Sequence, residues 1–378
     1  MRAFLYVQHL LGVGHLKRTA LVARALRAAG AEVTLVSGGA PVRDIPVDVQ
    51  LPPASAGDAS FRTLLDAEGR PVGAEWKRRR AGLLLDAWRR FHDAGPAGAL
   101  LIELFPFGRR QMRFELMPLL EDTRRVARRP LLVCSVRDLL QPRPGREAEA
   151  LALFERFFDR LLVHGDPRLA GLERTFGAAP RLADRLHYTG YVVEDPPAAS
   201  GVGAGEVLVS AGGGAVGARL LATALEARPR TLLREATWRL LAGLNAGEAE
   251  LRRLAERAGP GVVVERHRSD VPALLANCAL SISQAGYNTV AEVLQARVRS
   301  VLVPFAGDGE VEQTLRAQAL AAHGAAQVLE EARLDADSLA DAVNRAVRGP
   351  RPPAELVELD GARRSAALLA GWLAGRAA

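Results

Sequence analysis

VLVSAGGGAVGARLLATAL runs from Val207 to Leu225. It opens with a short β-branched run, passes through Gly212, Gly213 and Gly214, and continues with leucines and alanines at helical spacing. That order reads as strand, tight turn, helix. Glycine lets a backbone approach a phosphate closely, and the helix N-terminus that follows offers unpaired N–H groups and a positive dipole end. A strand-to-helix turn without a ligand is the plainer alternative, but three consecutive glycines exceed what such a turn needs.

Strand-like runs alternate with amphipathic helical stretches along the chain. In the first half strands are expected near 3–7, 32–37, 99–103, 131–135, 160–163 and 187–191, with helices over 15–29, 74–94, 110–127 and 147–157. PPAASGVGAG, Pro196 to Gly205, lacks periodicity and reads as a linker. Strands follow near 236–241, 261–264, 279–283, 300–303 and 326–329, and a last helix is expected over 353–374. The expected organisation is a Rossmann-like unit over 1–195, a linker at 196–205, a second unit over 206–350, and a terminal helix in 351–378 that could cross back to the first unit. The fold class is α/β, two doubly wound parallel sheets. Ligands of such sheets bind at the carboxyl ends of the strands, so two units facing one cleft would each hold one substrate.

The 378 residues carry a formal net charge of +7, and lysine occurs only at Lys17 and Lys77. The arginines are spread over helices and interleaved with acids, which favours solvated helix faces over a nucleic-acid surface. Cys134 and Cys278 sit in apolar runs without metal spacing, consistent with buried thiols and a reducing cytoplasm. The first residues are too polar for a signal peptide, and no run is long enough to span a bilayer. Glu75 to Gly95 is basic and amphipathic, with Trp76, Leu84 and Trp88 among its arginines. It could rest on an anionic bilayer at the inner face of the membrane or pack on its own sheet.

SISQAGYNTVAEVL, Ser281 to Leu294, repeats the strand–turn–helix layout. Its strand ends at Ser283, Gly286 permits the turn, and Asn288 or Thr289 can cap the helix. Glu292 could accept two hydrogen bonds from ribose hydroxyls, or simply complement the helix dipole. VPFAGDGEVEQTLRAQAL, Val303 to Leu320, offers Asp308, Glu312 and Gln313 to sugar hydroxyls, and His267 could border a base. Asp335-Ala336-Asp337 matches a metal-binding Asp-x-Asp only superficially and reads better as a helix N-cap.

Taken in order, AGGGAVGARLL, DVPALL, SQAGYNTVAEVL and VPFAGDGEVEQTLRAQAL resemble the C-terminal domain of glycosyltransferase family 28, whose best-known member is the peptidoglycan N-acetylglucosaminyltransferase. The resemblance covers most of residues 206–350. It implies a GT-B fold with a nucleotide-diphosphate sugar held mainly by the second unit, UDP being the favoured nucleotide. Gly213 and Gly214 would approach the diphosphate, Glu292 would bind the ribose, and Gly286 and Tyr287 would line the phosphate end. Glu312 and Gln313 stand where the family has paired glutamines on the sugar; the glutamate departs from that pattern and bears on the sugar's identity.

LLGVGHLKR, Leu10 to Arg18, begins like a dinucleotide-binding turn, but Lys17 replaces the third glycine and the second strand ends in Ser37 rather than an acid. Both departures argue against NAD. The family implies that His15 is the general base, with Gly12 and Gly14 making room for acceptor and sugar. Independently, imidazole titrates near neutrality and a loop tip at a strand end is where a base must sit; a helix cap is the alternative. Arg109 and Arg110 stand at a helix start, where cations oppose the dipole, so an anionic ligand could hold them. With Glu103 and Arg137 they are acceptor-site candidates, the alternative being structural salt bridges.

The expected protein is an inverting glycosyltransferase using a nucleotide sugar as co-substrate, with no metal or cofactor, no nucleic-acid partner and an unidentified acceptor. A nucleotide-sugar hydrolase or 2-epimerase is the alternative on the same fold.

Overall fold

The computed structural model describes residues 1–57, 63–96, 98–142, 145–211, 217–243 and 246–377, with the side chains of residues 308 and 377 excepted. The chain forms two compact units: Met1–Pro167 with Gly171–Val192 and Asp360–Ala378, and Arg168–Ala170 with Val193–Leu359.

The first unit contains β1 (Arg2–Val7), α1 (Gly14–Ala28), β2 (Glu32–Ser37), β3 (Val49–Gln50), a small antiparallel pair β4 (Ser55–Ala56) and β5 (Leu64–Leu65), α2 (Ala74–Asp93), β6 (Ala99–Glu103), α3 (Arg113–Thr123), β7 (Leu131–Arg137), α4 (Glu147–Phe157), β8 (Arg160–His164) and β9 (Leu186–Tyr188). Among the described residues its main sheet runs β3-β2-β1-β6-β7-β8-β9, parallel throughout. Strand alternation divides the core. Phe4, Tyr6 and Ile102 pack with α2 and α3 residues such as Leu84, Trp88 and Leu116, while Ala3, Leu5 and Leu101 pack on the other face with Leu16 and Leu26 of α1.

The second unit contains β10 (Val207–Ser210), α5 (Ala218–Ala227), β11 (Trp238–Leu241), α6 (Glu248–Arg257), β12 (Val262–Glu265), α7 (Val271–Asn277), β13 (Leu280–Ser283), α8 (Tyr287–Ala296), β14 (Ser300–Leu302), α9 (Glu312–Ala322), β15 (Gln327–Val328) and α10 (Ala336–Arg348). Its sheet order is β12-β11-β10-β13-β14-β15, also parallel. Each sheet therefore reverses direction next to its first strand, β1 or β10, where a doubly wound sheet opens a crevice at the strands' carboxyl ends.

Several local expectations change. Two prolines, Pro352 and Pro353, lie in the irregular stretch before α11 (Gly361–Ala377), so the last helix begins later than 353. α11 belongs to the first unit: Gly361 N–H donates to Tyr191 O at 3.0 Å, and Ala366 and Leu369 join the core beside α1. Instead of one helix from 110, a 3₁₀ turn (Arg110–Met112) precedes α3. α2 turns Leu84, Trp88 and Phe91 into its own unit's core, and Trp76 packs partly buried against it, so these residues do not form a membrane face. Among the described residues, no helix is long and apolar enough to cross a membrane.

Candidate active site

His15 lies in the first turn of α1, after the loop that follows the carboxyl end of β1. It caps nothing with its ring. Its Nδ1 lies 2.7 Å from Oε1 of Glu103, the last residue of β6, which neighbours β1. The Glu103 side chain is fully buried, and that of His15 is 16% exposed. Arg18, one helical turn after His15, donates to the same Glu103 oxygen. Burial alone would raise the Glu103 carboxyl, but His15, Arg18 and Arg109 outweigh it and hold it down at about 2. Burial lowers the His15 imidazole to about 3; Glu103 opposes that shift, while Arg109 and Arg18 add to it. At neutral pH the pair is thus a carboxylate and a neutral ring. A carboxylate only accepts, so Nδ1 carries the proton and Nε2 keeps its lone pair. This is the arrangement of an oriented general base.

Glu103 leads into a tight turn. Leu104 and Arg109 both take left-handed backbone conformations, at φ 66° and 56°. Gly108 N–H donates to Leu104 O at 2.9 Å, and a Cβ on Gly108 would stand 2.8 Å from the Leu104 side chain, which would have to shift to admit it. The turn buries Arg109, whose Nε donates to Gln8 O at 2.8 Å. Arg109 therefore acts on His15 as a fixed charge, while Arg110 is half exposed and stands 4.0 Å from Glu149. Arg137 ends β7, opposite His164 of β8. The His164 ring, fully buried, lies between Ser135 Oγ at 2.7 Å and Thr189 Oγ1 at 2.9 Å, and burial lowers it to about 3. Gly12 has open space where a Cβ would point, and Gly14 begins α1. The structure thus joins His15, Glu103 and Arg109. Glu103, with no exposed surface, meets any ligand through His15 rather than directly. Sequence reasoning missed Arg18 and His164; the three-residue spacing from His15 to Arg18 was a usable signal, whereas His164 pairs only through the sheet.

In the second unit, Gly212, Gly213 and Gly214 lie outside the described residues, as does the Asp308 side chain. Gly217 enters α5 so close to β10 that an added Cβ would sit 2.0 Å from that of Ala211. Ser283 ends β13 with its hydroxyl buried and, among the described residues, without a hydrogen-bond partner. Gly286, extended, is itself the N-cap of α8, so neither Asn288 nor Thr289 performs that role. Asn288 and Glu292 are half-buried on α8, and His267 is exposed after β12. Tyr287 is buried, with the Arg316 guanidinium 5.9 Å from its ring centre. Glu312 is buried at the start of α9, and the Gln313 side-chain oxygen accepts from the amides of Ala285 at 3.1 Å and Phe305 at 3.2 Å. Gln313 thereby ties the turn after β13 to the turn after β14. Asp335 caps α10 through Ser338 N at 2.8 Å. Among the described residues, no group of three or more His, Cys, Asp or Glu side chains could hold a metal ion.

Residues 208–359 match the model of the glycosyltransferase family 28 C-terminal domain. Over that stretch the second unit is similar to a family 28 C-terminal domain. The UDP-N-acetylglucosamine–N-acetylmuramyl-(pentapeptide) pyrophosphoryl-undecaprenol N-acetylglucosamine transferase of Brucella canis is 32% identical over 141 residues, 36% of this chain and 37% of that protein. The chain thus spans little more than a third of the length of that curated relative. Solved structures extend the likeness to both units. The glycotransferase of kitacinnamycin aligns with TM-score 0.61 and 18% identity over 99% of this chain and 98% of its own. A Listeria monocytogenes protein provisionally assigned as a UDP-N-acetylglucosamine 2-epimerase aligns with TM-score 0.63 and 11% identity over 99% of this chain and 96% of its own. Each unit is one Rossmann-like half of a GT-B fold.

Proposed function

We propose that the protein is an inverting, metal-independent glycosyltransferase that uses a nucleotide-diphosphate sugar, a UDP-sugar by the family likeness. The likeness to the family 28 domain carries this reading, and the His15–Glu103 pair supplies the chemistry it needs. The acceptor's hydroxyl or amine gives its proton to His15 Nε2 as its O or N bonds to the anomeric carbon. The bond from that carbon to the diphosphate oxygen breaks, and the nucleoside diphosphate leaves with the electron pair. Imidazolium formed at His15 gains the adjacent Glu103 carboxylate, which is charged in advance and needs no reorganisation. Negative charge on the leaving diphosphate suits the helix N-terminus that follows the second unit's glycine run. Glu292 is assigned to the ribose and the start of α9 to the sugar.

A thermal-shift screen of nucleotide sugars tests the donor assignment, since a ligand at 100 times its dissociation constant adds about 2.7 kcal/mol. Turnover of the selected donor is then followed with and without candidate acceptors, in the presence and absence of EDTA. Acceptor-dependent product formation, unaffected by the chelator, is expected. Turnover of donor alone to free sugar or its 2-epimer would replace transfer by hydrolysis or epimerisation. Loss of turnover with EDTA would overturn metal independence.

A further inference from the structure

The amino end of the first unit's sheet, opposite the end that carries His15, gathers arginines around the end of α4. Four consecutive carbonyls, at the end of α4 and just beyond it, each receive one guanidinium. Arg124 donates to Arg156 O at 3.4 Å, Arg129 to Phe157 O at 3.4 Å, Arg185 to Phe158 O at 3.3 Å and Arg160 to Asp159 O at 3.1 Å. The last carbonyls of a helix lack partners within it and form its negative dipole end, so they hold cations in place. The Asp159 carboxylate adds to the tethering, accepting from Arg129 and from Arg376 of α11, each at 3.2 Å.

A carbonyl engages only part of a guanidinium, which carries five N–H donors. Arg160 begins β8 and Arg185 directly precedes β9, and among the described residues neither pairs with a carboxylate. Arg160 Nε is buried and, among the same residues, has no hydrogen-bond partner, a costly state for a donor. Both arginines line one recess of about 300 Å³. Across Arg160 and Asp159 a second recess of about 320 Å³ opens along α11, lined by Leu131, Gly371, Trp372 and Gly375. A Cβ on Gly371 or Gly375 would meet open space. The Trp372 ring is held by His187 at 4.8 Å and by the Arg160 guanidinium at 5.6 Å. Each recess has the volume of a small ligand site.

We propose that the two recesses together bind a phosphate monoester, its phosphate on Arg160 and Arg185 and its flat organic body along α11 beside Trp372. Guanidinium forks match phosphate oxygens in bidentate pairs. Tethered guanidiniums lose little freedom on binding, so the site is organised in advance. The two carboxylates of the first recess are engaged elsewhere: Glu155 pairs with Arg181 at 3.2 Å, and Asp159 also accepts from Leu132 N–H at 2.9 Å. The site lies away from the base and stands whether or not the protein transfers sugars.

The test uses the full chain with phenyl phosphate, inorganic phosphate and phenol. Affinity is measured by calorimetry, and place by the NMR signal of the Trp372 side-chain N–H, assigned through its loss in Trp372→Phe. Phenyl phosphate is expected to bind saturably and shift that signal, inorganic phosphate to bind more weakly, and phenol not to bind. The double variant R160Q/R185Q should weaken phenyl phosphate about tenfold or more, as loss of charge-assisted hydrogen bonds does. Gly371→Trp fills the second recess from an open helix position and decides the matter if the arginine variant does not fold. It should bring phenyl phosphate down to the affinity of inorganic phosphate and leave the latter unchanged. No saturable binding of phenyl phosphate, binding that leaves the Trp372 signal in place, or affinity unchanged in folded R160Q/R185Q or in Gly371→Trp would overturn the site. Inorganic phosphate binding as tightly as phenyl phosphate would overturn the monoester assignment. Association with phosphatidic acid vesicles without any response to phenyl phosphate would replace the site by a membrane-facing surface.

Discussion

At the scale of single residues, the electrostatics around His15 produce checkable behaviour. Its ring titrates at about 3 instead of near 6.5, and Arg109 is one cause. Between pH 8 and 5 its NMR signals should stay those of a neutral imidazole, and in Arg109→Gln the midpoint should move upward. A midpoint near 6.5 in the unaltered protein would contradict the burial argument. The same shifts fix a sign for stability. In the folded chain His15 and His164 are neutral down to about pH 3, whereas unfolded histidine binds a proton near 6.5. The unfolded chain therefore gains protons first as pH falls, and stability declines from about pH 6.5 towards 3. Denaturant midpoints across that range should decrease, and less steeply in His164→Asn. His15 was legible in the sequence as a histidine following a strand and glycines. Its partner was only half legible: Glu103 stood out as a carboxylate ending an apolar strand, but nothing local shows that β6 lies beside β1. Arg18 and His164 join the cluster through helix facing and sheet pairing, which no single stretch records.

At the scale of elements, α2 shows how a basic helix serves a core. Arg80 lies fully buried within it, paired with Glu115 of α3 at 2.6 Å and donating to the carbonyls of Gly38 at 2.9 Å and Pro52 at 2.6 Å. Glu115 also receives the Tyr6 hydroxyl. One guanidinium thus ties α2 to α3 and to the loops after β2 and β3. Breaking a buried pair by removing one partner costs about 3–5 kcal/mol, so Arg80→Met should lower stability by that order in denaturant melts. A change below about 1 kcal/mol, the range of exposed ion pairs, would show that the network is not structural. The sequence displayed this helix clearly through its periodicity, yet periodicity could not say what its apolar stripe met. The pattern of a membrane-surface helix and of a sheet-covering helix is the same until Leu84 and Trp88 are seen beneath it. Two-residue strands such as β3 and β4 carry no period at all, and they went unread for that reason.

At the scale of the whole molecule, the alternation of the main strands and helices was legible from end to end because most of them are long enough to show their period. The destination of the last helix was not, since α11 is selected by the surface of α1 and not by its own residues. Leu369 has no exposed surface and Ala366 almost none. Ending the chain after residue 359 uncovers Leu5, Leu16 and their neighbours. The truncated protein should lose stability in the first unit while UDP still binds the second; an unchanged melting profile would contradict the packing described. In the proposed mechanism His15, oriented by Glu103, deprotonates the acceptor. The most direct test is the single-turnover rate of transfer for His15→Ala at saturating donor. Loss of the base should lower that rate by about 10²–10⁴, with donor affinity retained. Transfer at the unaltered rate, with donor bound equally well, would contradict it.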